Sequence, residues 1–326
     1  MLSYVLPIRT ATPVPHELVD YLRSLPSFVE PIVVDGSELT VFRDLHARCG
    51  PGIRHVGLDR DLLRCANGKV AGVITGVRLA SCEKVVIADD DVRYDEAALL
   101  ALSRALDRAD VVRPQNYFDP LPWHACLDTA RTLLNRVTGG DWPGTLGVRR
   151  SLLLRTNGYD GDVMFENLEL VRTVTAAGGR QAGPLDLYVR RLPPEATHFW
   201  SQRVRQAYDE LARPVRLAAW LAVLPLAGVL LAWRGPLALA GAAAAAIVAA
   251  EAGRRRAGGD RVFPAAASLA APLWLLERGV CAWIAVGVRI VLGGIPYRGR
   301  ILKKAANSSR QLRRLHQNPA EAGSHN

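Results

Sequence analysis

Three things are scarce in this sequence of 326 residues: cysteine, aromatic side chains and acidic charge. The five cysteines (Cys49, Cys65, Cys82, Cys126 and Cys281) form no CxxC pair and have no histidine cluster beside them. That excludes a zinc site of the usual spacing and a disulfide framework, and it fits a reducing compartment. Aromatic residues make up 6% of the chain although 49% of it is hydrophobic, so alanine, leucine and valine carry most of the apolar content. Acids number 31 against 41 lysines and arginines, a formal charge of +10. A surplus of that size implies an anionic partner, either nucleic acid or an anionic membrane surface. The first residues, Met1-Leu-Ser-Tyr-Val-Leu-Pro, have no basic flank and no long apolar core, so they do not read as a secretory signal. The length suits one large domain, or one domain and a second region.

What is present is centred on Lys84-Val-Val-Ile-Ala-Asp89-Asp90-Asp91-Val92, an apolar run that ends in three carboxylates. Such a run reads as a buried parallel strand. Ligands of open α/β sheets gather outside the carboxyl ends of those strands. Three adjacent acids repel one another unless a cation lies between them. Asp89 and Asp91, two residues apart at a strand end, can point to one side, and carboxylate oxygen suits hard cations such as Mg²⁺ or Mn²⁺. A solvated acidic turn is the plainer alternative.

Around this stretch strands and helices alternate. Strands are expected at 2–8, 31–35, 53–58, 84–88 and from 110, with helices at 15–25, 68–80 and 95–108. The alternation predicts a mostly parallel sheet with helices on both faces. Strands ending at Asp35 and Asp89 then bring acids to one edge, a nucleotide-site geometry. Beyond 121 the pattern loosens. Residues 123–137 read as a helix, and 139–147 as a glycine-rich loop around Trp142, either an acceptor pocket or an ordinary turn. Glu166 and Glu169 are one helical turn apart and share a face; a solvated helix start would place acids there too. Residues 198–210, with Arg203 and Arg205, read as an amphipathic helix suited to a headgroup layer or to a diphosphate.

Residues 214–233 are almost uncharged and long enough for a ~30 Å hydrocarbon core, which takes ~20 residues. Residues 236–250, mostly alanine, make a weaker second candidate. Residues 262–295 are apolar but contain Glu277-Arg278 and Arg289, and a charge at mid-bilayer costs roughly 2.5–3.5 kcal/mol. An interfacial or re-entrant helix therefore fits this stretch. Much of the basic surplus flanks these segments: Arg203, Arg205, Arg213, Arg216, Arg254, Arg255, Arg256 and Arg261, then Arg298, Arg300, Lys303, Lys304, Arg310, Arg313 and Arg314. That distribution suits anionic headgroups rather than nucleic acid, and the positive-inside rule sets it in the cytoplasm. The expected division is a catalytic domain over 1–212 and a membrane region over 213–326, in a multi-pass protein of the cell membrane.

In order along the chain, Val33-Val-Asp35-Gly-Ser, Asn67-Gly-Lys69-Val, Asp89-Asp90-Asp91, Phe165-Glu166-Asn167-Leu-Glu169, Gln202-Arg-Val-Arg205-Gln and Pro272-Leu-Trp…Tyr297-Arg-Gly resemble the motifs of membrane-bound family 2 glycosyltransferases of the GT-A fold. The ceramide glucosyltransferase-like subgroup is the most similar. The resemblance implies transfer of a sugar from a nucleotide-diphosphate sugar to a membrane lipid with inversion. It implies that Asp35, Lys69, Asp89, Asp90, Gln202 and Arg205 contact the donor, that Asp89 and Asp91 hold Mg²⁺ or Mn²⁺, and that Glu166, Asn167 and Glu169 stand at the catalytic position. Two positions depart from the pattern. Asn167 replaces the aspartate that serves the family as base, and Gln206 replaces a tryptophan. Glu166 or Glu169 then substitutes, or the acceptor is an already ionised polyprenyl phosphate, or the chain is a non-catalytic scaffold. A processive polysaccharide synthase fits less well, because so few membrane segments build no export pore.

Overall fold

The computed structural model describes residues 1–297 and 299–317; Arg298, within the Tyr297-Arg-Gly stretch, lies outside them. The chain forms two compact units. The first comprises Met1–Pro114, Trp142–Ala182 and the described residues from Asn307 on. The second comprises Gln115–Asp141 and Gly183–Ala306. Residues 115–141 and 183–212, all before position 213, thus pack with the apolar C-terminal helices rather than with the sheet.

The first unit opens with β1 (Leu2–Ile8), α1 (His16–Arg23), β2 (Val29–Asp35), α2 (Leu39–Cys49), β3 (Arg54–Gly57), α3 (Gly68–Leu79), β4 (Lys84–Ala88), β5 (Val92–Arg93), α4 (Glu96–Ala105) and β6 (Val111–Val112). It resumes with β8 (Thr145–Arg149), α6 (Arg150–Arg155), α7 (Glu166–Ala176) and β9 (Gln181–Ala182), and ends with α14 (Ser309–Gln317). Seven strands form one sheet in the order β3-β2-β1-β4-β8-β6-β9. Its neighbours are parallel except where β8 runs antiparallel to β4 and to β6. The strands at 2–8 and 84–88 and the alternation with helices match the sequence pattern. Two features do not. Helix α2 occupies a stretch for which no element was expected, although its Val41, Leu45 and Cys49 are buried at four-residue spacing, and the last three residues of the expected glycine-rich loop, 145–147, open the buried strand β8. Thr145, Leu146, Gly147 and Val148 pair with β4, and Gly147 leaves room for Leu102 beneath it.

Helix α3 is buried all round from Val70 to Val77, because it is pressed between the sheet and the segment around Leu153 and Tyr159. Close approach to β1 is made through glycine. A Cβ at Gly72 would come within 2.7 Å of Pro7 Cβ, and one at Gly76 would overlap Val5. Asn67 caps the helix by accepting from Lys69 N at 3.1 Å. On the far side of the unit, α14 packs along α7 with Leu312 buried. The turn before it is fastened by Asn307, whose backbone N and Nδ2 donate to the two oxygens of Glu169 at 2.7 and 2.9 Å. Nδ2 also donates to Asp160 at 2.7 Å, and Asn307 O accepts from Arg172 at 2.7 Å.

The second unit comprises β7 (Gln115–Phe118) and α5 (Trp123–Arg136), then β10 (Tyr188–Arg191), α8 (Ala196–Ser201), α9 (Arg203–Tyr208), α10 (Pro214–Arg234), α11 (Pro236–Arg255), α12 (Ala265–Leu269) and α13 (Ala271–Leu292). Strands β7 and β10 pair in parallel. The core joins Leu127, Ala130 and Leu133 of α5 to Phe199, Ala246, Ala250, Phe263 and Trp274. Two helices are long and apolar enough to cross a membrane, Pro214–Arg234 and the one that begins at Pro236. The stretch expected to lie along the interface contains α13, a continuous helix of 22 residues in which Glu277 is half-buried, Arg278 buried and Arg289 exposed. Glu277 pairs with Arg203 at 2.6 Å, and Arg203 also meets Asp128 at 2.8 Å.

Gly76→Ala should destabilise the protein despite the better helix propensity of alanine. The helix gains about 1 kcal/mol at most, whereas overpacking against Val5 costs about 1–3 kcal/mol. A lower thermal midpoint than wild type in the same detergent checks this. Asn307→Ala should cost about 1–3 kcal/mol, because it removes the side-chain donor from a fully buried carboxylate and leaves only the backbone N–H. It should also raise proteolysis of the segment that follows, read by limited digestion.

Candidate functional site

The first unit brings three charged residues from distant parts of the chain into contact. Lys69, in the first turn of α3, places Nζ 2.6 Å from Asp89 Oδ1 and 2.8 Å from Glu166 Oε1. Asp89 follows β4 directly, and Glu166 is the first residue of α7. The approach is enforced by backbone stitching. Ala66 N donates to Asp162 Oδ1 at 3.0 Å, Asn67 N to Gly161 O at 2.8 Å, and Asn67 Nδ2 to Val163 O at 3.2 Å. The turn that opens α3 is therefore laced to the loop that opens α7. Burial alone would push the Lys69 amine toward its neutral form. The charges and hydrogen bonds of Asp89 and Glu166 overcome this and raise its pKa, so it stays an ammonium.

The acidic turn is held from both sides. Asp89 N donates to Gly144 O at 2.9 Å. Arg93, buried and paired with Glu17 at 2.6 Å, donates to Asp90 O at 2.7 Å. Asp90 itself is exposed, while Asp89 and Asp91 are half-buried. Asn167 does not stand in for a base; its Nδ2 donates to Pro143 O at 2.9 Å and fixes the loop before β8. In that loop Trp142 lies under the Arg113 guanidinium at 4.4 Å and edge-on to Phe165 at 5.2 Å. Glu169 is withdrawn to Asn307. Glu166 and Glu169 share a helix face, but only Glu166 meets Lys69. Burial pushes the Glu169 carboxyl pKa up, against the hydrogen bonds from Asn307.

Asp35 ends β2, on the strand beyond β1 from β4. It is 3% exposed, and both of its oxygens are engaged within the unit. Oδ1 accepts from Ser37 N at 2.7 Å, and Oδ2 lies 3.2 Å from His55 Nε2. His55 Nδ1 in turn lies 3.1 Å from His46 Nδ1. If His55 donates through Nε2, its Nδ1 accepts from His46, so a chain of two imidazoles ends on the carboxylate. Burial opposes ionisation of Asp35, but the His55 and Ser37 hydrogen bonds outweigh it and hold the pKa below the ordinary aspartate value.

Gln202 and Arg205 belong to the second unit. Gln202 Nε2 contacts His198 Nε2, and the Arg205 guanidinium lies 5.5 Å from the centre of the Tyr297 ring. The buried arginine of that stretch is its neighbour Arg203, which reaches Glu277, Asp128 and Gln206 Oε1. Three participants had no signal in the sequence: Arg93, His55 and Asn307. Each acts through tertiary contact across 20 or more residues, and only an alignment of related chains would have marked them.

Among the described residues no group of three or more histidine, cysteine, aspartate and glutamate side chains is arranged to enclose a metal ion. The carboxylates of Asp89 and Asp91 are nevertheless hard oxygen donors beside one strand end. A Mg²⁺-type ion commonly takes one or two protein carboxylates and completes its shell with substrate phosphate and water. The donor set fits such a shared ion and does not fit a closed all-protein site.

No family model matches the chain, and no curated protein does. Solved structures do. The mannosyltransferase PcManGT from Pyrobaculum calidifontis, in complex with GDP-Man and Mn2+, is 20% identical over 86% of this chain and 86% of its own, with a TM-score of 0.51. S. aureus TarS 1-349 in complex with UDP-GlcNAc is 16% identical over 61% of this chain and 60% of its own, with a TM-score of 0.43. Glucosyl-3-phosphoglycerate synthase from Mycobacterium tuberculosis, in complex with Mn2+, UDP and glucosyl-3-phosphoglycerate, is 19% identical over 63% and 77%, with a TM-score of 0.43. The first of these establishes the fold: a GT-A-like α/β unit built on a mostly parallel sheet, in a chain with two apolar helices near its C-terminal end.

Proposed function

We propose that the chain is a membrane-bound glycosyltransferase that moves a sugar from a nucleotide-diphosphate sugar to a lipid acceptor, with inversion. The observation that carries this reading is the meeting of Lys69, Asp89 and Glu166 at the carboxyl edge of a GT-A-like sheet. Carboxylates, an ammonium and the capped start of α3 converge where such sheets bind their ligands. Asp89 and Asp91 would hold Mg²⁺ or Mn²⁺ together with the donor diphosphate, and the ion would neutralise charge on the departing nucleotide. Lys69 binds the edge of the phosphate site and adds fixed positive charge to it. Asp35 supports the nucleoside side of the pocket through its ordered turn at Ser37. Gln202 and Arg205 are assigned to the donor by resemblance.

Glu166 is the residue positioned to take a proton. Its Oε1 is anchored by Lys69, while Oε2 makes no hydrogen bond among the described residues. A carboxylate held by one oxygen presents the other in a fixed direction, as a general base requires. The acceptor is a membrane lipid because α10 and α11 have the length and hydropathy of membrane spans. The basic flanks face an anionic membrane surface, with the catalytic unit in the cytoplasm. A specific observation favours polyprenyl phosphate as a second acceptor reading. Asn167 is committed to Pro143 O and cannot serve as the base, and a phosphate nucleophile needs none.

The test uses the full chain in mild detergent with labelled nucleotide sugars and a membrane lipid extract. Label should enter the organic phase only with Mn²⁺ or Mg²⁺, and chelation by EDTA should abolish transfer. Asp91→Ala should reduce it to background. Absence of label with every donor, from a folded protein, would sink the reading. Glu166→Gln should lower the rate about 10²-fold or more if a hydroxyl is the acceptor. An unchanged rate, with a product that mild acid cleaves, would instead identify polyprenyl phosphate.

A further inference from the structure

The second unit contains a buried arginine that makes no ion pair among the described residues, the carboxylates of Glu277 and Glu210 acting on it only from a distance. Arg278 of α13 is 2% exposed, and neither Nε nor Nη1 has a hydrogen-bond partner. The adjacent carboxylate, Glu277, is turned away to Arg203 and Cys281. One turn before Arg278, Trp274 is 1% exposed and its Nε1 is also without a partner. Trp220 of α10 meets Trp274 edge-on at 5.3 Å and likewise has an unpartnered Nε1. Two helices thus present matching pairs four residues apart, Arg216 with Trp220 and Trp274 with Arg278. Each guanidinium lies 5.7 and 5.4 Å, respectively, from the centre of its own indole. Unpaired buried charge is costly, and buried donors are ordinarily satisfied. Arg216 is paired with Glu210 at 3.4 Å, whereas Arg278 Nε and Nη1 and the two indole N–H groups have no acceptor oxygen of their own.

Beside it lies a place for an apolar chain. A cavity of about 810 Å³ runs between α10, α11 and α13, lined by residues such as Val223, Leu226, Leu230, Leu239, Ala243 and Leu275. Helices α10 and α13 are in close contact here. Gly279 abuts Val223 and Leu224, and Trp283 Nε1 donates to Leu221 O at 3.1 Å. The cavity lining includes Val223, three residues after Trp220, and Pro272 and Leu275, which flank Trp274. Apolar cavity and unpartnered donors are therefore contiguous along the same pair of helices.

We propose that this part of the second unit binds an anionic phospholipid. Its acyl chain occupies the cavity, and its phosphate accepts from Arg278 and the Trp220 and Trp274 indoles. Guanidinium and indole N–H groups suit phosphate, whose oxygens accept several donors at once. A lipid rather than a free ion is favoured because the donors adjoin an apolar volume on helices of membrane-span character. The proposal requires the unit to sit in a membrane, but it stands whether or not the chain transfers sugar.

The test follows thermal unfolding of the full chain in neutral maltoside detergent, with added phosphatidylglycerol, phosphatidylcholine or inorganic phosphate. Wild type should gain about 5 °C with phosphatidylglycerol, as expected for a ligand well above its dissociation constant, and little with the other two. Arg278→Met should fold with an unchanged or higher midpoint in detergent alone, since removing an uncompensated buried charge costs nothing. It should lose the phosphatidylglycerol shift. Trp274→Phe, which keeps the ring and removes the donor, should lose part of it. Native mass spectrometry should show one retained anionic lipid on wild type and about tenfold less on Arg278→Met. An equal lipid shift in wild type and Arg278→Met would overturn the proposal. So would a lower midpoint of that variant in detergent alone, which would make Arg278 a structural group. An equal response to inorganic phosphate would reduce the site to an ion site and overturn the lipid assignment.

Discussion

The sheet unit depends on one ammonium group. Without Lys69, the carboxylates of Asp89 and Glu166 would face each other across a partly enclosed space with only water between them. With it, β4, α3 and α7 are drawn to one point. Residues 69, 89 and 166 come from segments that share no local contact, so the arrangement is stable only as part of the whole sheet. The glycines of α3 are part of the same constraint. Gly72 and Gly76 let the helix lie close on β1, which brings its first turn, and Lys69 with it, up to the strand ends. Position and charge balance are thus one requirement, met by three segments together.

In the second unit the ordering principle is different. Its helices are largely apolar, and several of the charged residues between them are buried and paired. Arg203 satisfies Glu277 with a two-pronged contact and reaches Asp128 as well, while Arg131 spans Asp128 and Asp141. Breaking one member of such a set leaves its partner charged and dry, which costs more than the intact pair contributes. These pairs act as register marks that fix α13 against α5 and α9. Hydrophobic contact alone, among so many alanines, would specify that register weakly.

Much of the sheet unit was legible in advance. Apolar runs ending in acids at Asp35 and Asp89 gave β2 and β4. The Asn67-Gly-Lys69 turn gave the start of α3, and an almost uncharged stretch at 214–233 gave α10. These signals are local, and local pattern is what a single sequence contains. The paths of β8 and of residues 115–141 were not legible. Gly144–Gly147 reads as a loop because glycine disfavours strands, yet its neighbours Val148 and Leu146 fill the space between β4 and β6. The charges at 277 and 278 look expensive in an apolar segment because the sequence does not reveal that Arg203 is waiting for Glu277. Of the expected site residues, Lys69, Asp89 and Glu166 meet. Glu169 and Asn167 serve neighbouring backbone and loops, which spacing along a helix could not foretell.

The return of the chain to the first unit at Asn307 bears on biogenesis. During synthesis the sheet, α3 and α7 emerge well before the apolar helices, but Glu169 has no donors until the segment beyond them is made. The sheet unit therefore waits, with one acidic side chain inside it uncompensated, while the hydrophobic helices leave the ribosome. A chain interrupted in that interval would carry an unfinished sheet unit that is easier to open and to degrade. Asn307 thus works as a completion signal written into the fold: the unit closes only after the helices that precede it have been delivered.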